Sequence, residues 1–416
     1  MFWLIENIKK IDEFIERKHE DVFVEVIPTS HKAHPSINTI SSVYIRPKTD
    51  NKGYIVSVDH NDTINIPLEK VEELLQSFKR IYVRDKKLYL HYFINKHVYQ
   101  PPPSPHPYIL ELTDTHEFFM RLYPKHKRLN TIIPIVKHYE TCELAFKAYD
   151  FENVSKFYSM KAAPVFNMIE RTPIKVDPTL YKHYFGKNTK GYAYTNYNLN
   201  TTTTRPSNTF GGLNFSTLSK ETNERETFIP NNDIFIEMDV SAYHPSILAN
   251  ILDYTFPCED IHKHFSDVYK VDYERAKEIT FQQIYGGIWD QYKDIEFFKR
   301  VKEYTEEKWD EFNNTGSITS PTSGYKFEKD KLEMMNPQKL LNYILQERET
   351  STNVLILWEI FKVLKGLNTK IVLTVYDSFL IDLDITEKDC IFEIEKIFTR
   401  FNLKVKYKKG KNYNFK

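Results

Sequence analysis

The chain has few of the residues that mark secreted, zinc-bound or membrane-spanning proteins. Its 416 residues include three cysteines, Cys142, Cys258 and Cys390, too far apart for a disulfide framework or a zinc spacing, so a reduced, cytoplasmic setting is expected. No stretch approaches the ~20 apolar residues of a membrane span. The apolar run within MFWLIENIKKIDEFIERK is too short for a signal peptide, and no membrane partner is expected. An excess of one charge is also missing: 57 Lys and Arg balance 57 Asp and Glu, so no global basic field points to nucleic acid. A basic groove offset by acidic surface elsewhere stays open. Lys404 to Lys411 is a basic cluster that reads equally well as a solvated tail. Glycine, with 11 residues, is scarce beside abundant Lys, Asn, Ile, Tyr and Phe, the pattern that AT-rich coding produces.

What is present suffices for two or three domains with a sizeable core. Segments 22–27, 42–46, 54–58 and 81–92 read as strands from their β-branched and aromatic content, and LEKVEELLQSF at 68–78 has helical spacing. This mixed α/β region ends near the turn-rich QPPPSPHP at 100–107. Helical patterns dominate 115–170, and 186–232 is poor in aliphatic residues and expected to be extended or looped. A strand to Asp239 follows, then helices from about 245 to 312, a hairpin at TSPTSGYKF, a long helix from about 338 to 365, and strand, helix and strand over 371–408.

Two apolar strands each deliver an acid to their own end: IFIEMDV brings Asp239, and IVLTVYDSFLID brings Asp377 in a hairpin-like setting. Either alone reads as a cap or turn residue. If the strands are neighbours, the carboxylates meet and can share divalent ions. Metal-assisted phosphoryl transfer needs that arrangement, with two ions ~3.5–4 Å apart, and magnesium suits it because it fills its remaining positions with water and phosphate oxygens. In AKEITFQQIYGG, Lys277, Phe281 and Tyr285 recur every four residues and share a helix face. Such a stripe is usually core, but with a lysine at its head it can also bind a triphosphate and offer flat surfaces to a base. His262 and Lys263 fall in the first turn of a helix beginning EDIHKHF, where an anion is favoured, and Asn342 and Gln346 stand one turn apart in NYILQERET.

Taken in order, MDVSAYHPSIL, AKEITFQQIYGG and TVYDSFLID resemble motifs A, B and C of the family A DNA polymerases, the polymerase I group that includes many phage replicases. GYAYTNYNLNTTTTRPSN and GGLNF resemble that family's thumb-to-palm stretch, and FNMIERTPIKVD the start of its polymerase domain. The resemblance is specific over about 165–385 and implies an α+β fold: an RNase H-like mixed-sheet domain, then a right-hand palm of antiparallel sheet with helical fingers and a vestigial thumb. It divides the chain into a degenerate 3′–5′ exonuclease-like domain at 1–150, a reduced thumb or connector at 151–204, and palm and fingers at 205–416, with fingers at about 255–335.

By resemblance, Asp239 and Asp377 bind two Mg2+ ions, with Mn2+ able to substitute, and the Val240 carbonyl is a further ligand. Lys277 neutralises the triphosphate of an incoming dNTP and assists proton transfer to pyrophosphate, and His262 touches the same phosphates. Phe281 meets the deoxyribose and Tyr285 the nascent base pair. Arg205, Asn214, Asn342, Gln346 and Tyr376 are implied contacts of primer-template DNA. His244 stands where the family carries a glutamate that rejects ribose. The arginine expected one turn before Lys277 is Tyr273, for which Arg275 can substitute from another helical angle. Tyr376-Asp377-Ser378 replaces the family's His-Asp-Glu, and Ser378 is shared with single-subunit RNA polymerases. The implied function is template-directed DNA synthesis in a bacterial or phage-infected cell. An RNA polymerase or primase-like activity is the alternative, and an inactive DNA-binding scaffold a second. The short thumb implies low processivity unless a replisome partner supplies a clamp. In the exonuclease-like region Glu25 is out of phase, Tyr89 stands where an acid is expected, and Tyr139 with Glu143 resembles a remnant of the third exonuclease motif or an ordinary helical face, so no proofreading is expected.

Overall fold

The computed structural model describes residues 3–31, 33–93, 108–111, 128–148, 157–208, 213–219 and 221–415. They form two compact units, the first running from Met1 to Thr172 with 194–197 and 208–213 attached. Its sheet has the order β1 (Leu4–Ile5), β4 (Tyr54–Ser57), β3 (Ile40–Pro47), β2 (Asp21–Pro28), β5 (Arg80–Val83), β6 (Tyr108–Glu111). Strands β2, β3 and β4 form an antiparallel meander, and β5 and β6 extend it in parallel, with helix α2 (Leu68–Gln76) crossing over between β4 and β5. This is the mixed sheet expected. The period-two alternation of β2 feeds two cores. Val22, Val24 and Val26 pack with Val71 and Leu74 of α2 and with Ile11 and Phe14 of α1 (Ile8–Glu16). Phe23 and Ile27 pack on the other face with Leu129, Tyr139 and Cys142.

One expected strand is shorter than its composition suggests. Segment 81–92 does not run through as a strand: β5 ends at Val83, and Asp85 caps α3 (Lys86–Tyr92) by accepting a hydrogen bond from Leu88 N at 2.9 Å. The cap satisfies an orphan amide, and the helix then buries Tyr89 and Leu90, so tertiary packing overrides the β-rich composition. Of the helical region 115–170, residues 115–127 and 149–156 lie outside the described residues. The rest forms α4 (Leu129–Ile132), α5 (Ile135–Ala148) and α6 (Ala163–Glu170), with a π-helical turn at Tyr158–Ala162 leading into α6.

Three acids of this unit, Glu25, Glu143 and Glu170, are engaged by neighbours. Glu25 is buried against Arg84, whose Nη2 donates at 2.9 Å. Glu143 Oε1 accepts from Tyr44 Oη at 2.5 Å, Gly53 N at 2.7 Å and Arg46 Nη1 at 3.1 Å. A side chain at position 53 would put its Cβ 2.5 Å from that carboxylate, so glycine is required there. Buried Glu170 accepts from Lys87 Nζ at 2.5 Å and Tyr197 N at 2.6 Å, and pairs with His91 Nε2 at 2.9 Å.

The second unit comprises 173–193, 198–207 and 214–416. Its main sheet has the order β13 (Lys370–Val375), β14 (Ser378–Leu383), β10 (Ile234–Val240), β15 (Val405–Gly410), antiparallel throughout. A small sheet joins β7 (Ile174–Val176) to β8 (Tyr192–Ala193) and β9 (Phe228–Ile229), with α7 (Pro178–Phe185) after β7. Between β10 and β13 lie α8 (Tyr243–Ile251), α9 (Ile261–Tyr269), α10 (Tyr273–Gly286), α11 (Glu296–Thr315), the hairpin β11 (Ser317–Thr319) and β12 (Lys326–Glu328), and α12 (Pro337–Val363). Helix α13 (Cys390–Arg400) precedes β15. The described part of 186–232 is largely irregular, as expected. Among the described residues no helix is long and apolar enough to cross a membrane, and all three cysteines are free.

The buried Glu170 cluster yields a stability prediction. Glu170→Ala leaves Lys87 and His91 facing a carboxylate-free interior, and a loss of about 3–5 kcal/mol in urea-unfolding free energy is expected. A loss under about 1 kcal/mol would show that the cluster does not hold α3 to α6.

Candidate active site at the ends of two palm strands

Antiparallel pairing sets Asp239 of β10 opposite Ser378 of β14, and the Val240 amide donates to the Asp377 carbonyl at 2.9 Å. Asp377 sits in the tight turn between β13 and β14, so the two acids meet at one end of the sheet. Backbone strain flanks both: Ala242, between β10 and α8, has φ 47°, and Tyr376 has φ 57°. Non-glycine residues hold such conformations only where surrounding contacts impose them. Here Asn353 of α12 donates to the Tyr376 carbonyl at 2.8 Å and accepts from Tyr243 Oη at 2.7 Å.

The Asp377 carboxyl is pushed up to about 6, first by burial and then by the charges of Asp239 and Glu349. Clustered negative charge is what a divalent cation relieves. Among the described residues no group of three or more His, Cys, Asp or Glu is placed to hold a metal ion. An ion held here would draw on the two carboxylates and on backbone oxygens. These hard, sparse donors fit Mg2+ or Mn2+, which complete their shells from water and substrate phosphates.

A cavity of about 310 Å3 opens at the acids, lined by Asp239, Val240, His244, His262, Lys277, Phe281, Tyr285 and Asp377, with Arg205, Tyr273, Glu349 and Lys406. Helix α10 starts at Asp272, which accepts from Arg275 N at 2.9 Å. Its Ala276, Ile279, Thr280, Gln283 and Ile284 are buried. The Lys277, Phe281, Tyr285 stripe is therefore not the core face. The rings of Phe281 and Tyr285 are parallel, with centroids 5.8 Å apart. Asp260 caps α9 and places His262 in the cavity wall beside Tyr273 and Phe281. Burial, and then the Lys277 charge, hold the His262 pKa below its ordinary value. An arriving phosphate would reverse the second effect.

His244 is buried and engaged at both ring nitrogens, by Tyr285 Oη at 2.5 Å and by Glu349 at 2.7 Å. The same carboxylate accepts from Arg205 Nε and Nη2, each at 3.1 Å. The Arg205 guanidinium in turn lies 3.9 Å above the centre of the Tyr376 ring. One hydrogen-bonded chain thus links α10, α8, α12 and the loop bearing Arg205.

The other residues singled out in the sequence do not line the cavity. Arg275 is exposed and ion-paired with Glu278 at 2.7 Å. Asn214 caps the short turn Phe215–Thr217. Gln346 donates to Asn342 at 3.0 Å and accepts from Thr203 at 2.7 Å. The Tyr376 ring lies beneath the Arg205 guanidinium. Glu349, Asn353 and Lys406 carry no signal of their own in the sequence, because their partners are remote in the chain.

An acid-paired antiparallel palm with helical fingers above one cavity defines an α+β polymerase-type fold. Among solved structures the chain is similar to the POL domain of Pol1 from M. smegmatis, solved in complex with DNA primer-template and dNTP, with a TM-score of 0.69 over 99% of each chain. At 13% identity, that likeness establishes the fold. No protein-family profile matches the sequence, and no curated protein matches it at a significant level.

The Asp377 environment predicts a pH-dependent stability difference. Its folded pKa lies above the ordinary 3.8, so ionisation disfavours the fold, and this cost grows as pH rises from 3.8 through about 6. In chelator, Asp377→Asn should be more stable than wild type by about 1–3 kcal/mol above pH 7, with the difference vanishing below pH 4. Millimolar Mg2+ should close the gap by stabilising wild type alone. Equal unfolding free energies at every pH would contradict the geometry.

Proposed function

We propose that the chain is a template-directed DNA polymerase that adds dNTPs to a primer 3′ end by two-metal-ion nucleotidyl transfer, without proofreading. The observation that carries this reading is the convergence of Asp239 and Asp377 at the floor of a cavity whose walls present Lys277 and His262. The primer-template and dNTP in the similar Pol1 structure support the same partners here. Mg2+ or Mn2+ bound by the two carboxylates would supply Lewis-acid chemistry at the attacking 3′-hydroxyl and the leaving pyrophosphate.

The side chains divide the remaining work. Lys277 offsets charge developing on the leaving pyrophosphate and passes it a proton, while His262 contacts the same phosphates. The parallel rings of Phe281 and Tyr285 give the sugar and the nascent base pair a flat wall. His244, locked through both nitrogens, fills the position that would otherwise admit a 2′-hydroxyl. Arg205, held by Glu349, keeps Nη1 for the primer terminus, and Asn342, Gln346, Asn214 and Tyr376 flank the duplex. Arg275 would have to leave Glu278 to reach a phosphate. In the first unit, Arg84 on Glu25 and the donors around Glu143 support the absence of a working exonuclease. The reduced thumb implies low processivity without a partner clamp.

Primer extension on defined templates tests this. With Mg2+, templated dNTP addition is expected, falling by about 10^3-fold or more in Asp377→Asn, with rNTP use rising in His244→Ala. Incorporation untouched by Asp377→Asn, or a wild-type preference for rNTPs, would contradict the reading. A mismatched primer should keep its length. Mg2+-dependent shortening abolished by Glu143→Ala would overturn the absence of proofreading.

A further inference from the structure

Strand β15 carries Lys406 and Lys408 on one face, with Lys404 in phase just before it. Lys404 pairs with Glu259 at 2.9 Å and Lys408 with buried Glu237 at 2.6 Å. Lys406, between them, makes no ion pair among the described residues. Its ammonium donates instead to the neutral phenol of Tyr273, in the first turn of α10, at 3.0 Å. That contact with Tyr273 is the main cause that holds its pKa above the ordinary lysine value, with the charges of Asp260 and Asp239 adding less.

Two further features place this cation at the reaction. Lys406 is the cross-strand partner of Asp239, so the two side chains leave the same face of the sheet as immediate neighbours. Lys406 also stands at the junction of two cavities, the 310 Å3 site and an adjoining space of about 530 Å3, with Ser241, Ala242 and His262 lining both. Lys277 and His262 line the same 310 Å3 cavity as Lys406 and the two acids.

We infer that Lys406 is a further triphosphate-binding residue, contacting the outer phosphates of the incoming nucleotide from the palm side while Lys277 and His262 contact them from the fingers. Exchanging a phenol for a phosphate oxygen replaces a bond to a neutral acceptor with a bond to a charged one, roughly twice as strong. The exposed ammonium needs no unfolding to make that exchange. The inference rests on the polymerase reading and adds a binding group to it.

The test is steady-state single-nucleotide incorporation at saturating primer-template, comparing wild type with Lys406→Ala, Lys406→Arg and Lys409→Ala. Lys409 lies on the same strand but the opposite face, so its loss removes an equal charge without touching the cavity. Lys406→Ala should raise the dNTP KM about tenfold with kcat within about twofold, the signature of lost uniform binding. Lys406→Arg should restore most of it, Lys409→Ala should change little, and pyrophosphate inhibition should weaken in parallel. An unchanged KM in Lys406→Ala, or an equal rise in Lys409→Ala, overturns the inference while leaving the polymerase reading intact. If wild type adds no nucleotide, the polymerase reading fails. Lys406 is then judged by calorimetric binding of inorganic tripolyphosphate, which should weaken about tenfold in Lys406→Ala. Equal binding by the two proteins overturns the inference.

Discussion

The candidate site depends on the register of β10 against its neighbours. Antiparallel pairing at Asp239–Ser378 and Asp239–Lys406 fixes which face of the sheet carries the acid and which side chains flank it. A one-residue slip would turn Asp239 away from Asp377 and bury a different set. Met238 and Val240, buried on the face opposite Asp239, oppose such a slip, because it would turn them onto the side that carries the acid. Core packing therefore holds two carboxyl groups together, at a cost that a divalent cation would relieve.

Around this pair the structure invests in fixed polar groups. Glu349 is 2% exposed and simultaneously orients His244 and Arg205. Removing one member of such a buried network leaves the others unpaired, so the chain from Tyr285 to Tyr376 acts as a unit. Its consequence for chemistry is positional. His244 cannot swing aside without abandoning both Tyr285 and Glu349, which makes its ring a rigid wall rather than a mobile one. In the proposed polymerase, phosphate recognition would be less tightly built: Lys277 and Lys406 are exposed cations on the cavity that an arriving triphosphate would recruit.

Much of this was legible in the sequence where the signal is local. Each acid closes an apolar strand, and the four-residue spacing of Lys277, Phe281 and Tyr285 survives as one helix face. Helix α2, the helices between β10 and β11, the hairpin at 317–328 and the long α12 follow from periodicity and turn residues. Segment 81–92 misleads because Asp85 starts a helix inside strand-like composition. Arg275 lies roughly 200° around α10 from Lys277, so helix geometry turns it toward Glu278. Glu349 and Lys406 were illegible for another reason: the first finds Arg205 144 positions away and the second finds Tyr273 133 positions away. Such pairings exist only after folding, and a lysine in a basic tail looks the same in sequence whether or not it faces a cavity.

The most direct measurement is a crystal structure of the chain with primer-template, a non-hydrolysable dNTP and Mn2+, read by anomalous scattering. The account predicts Mn2+ density between the Asp239 and Asp377 carboxylates, with the triphosphate against it. A bound nucleotide with no anomalous density between those two carboxylates would contradict it.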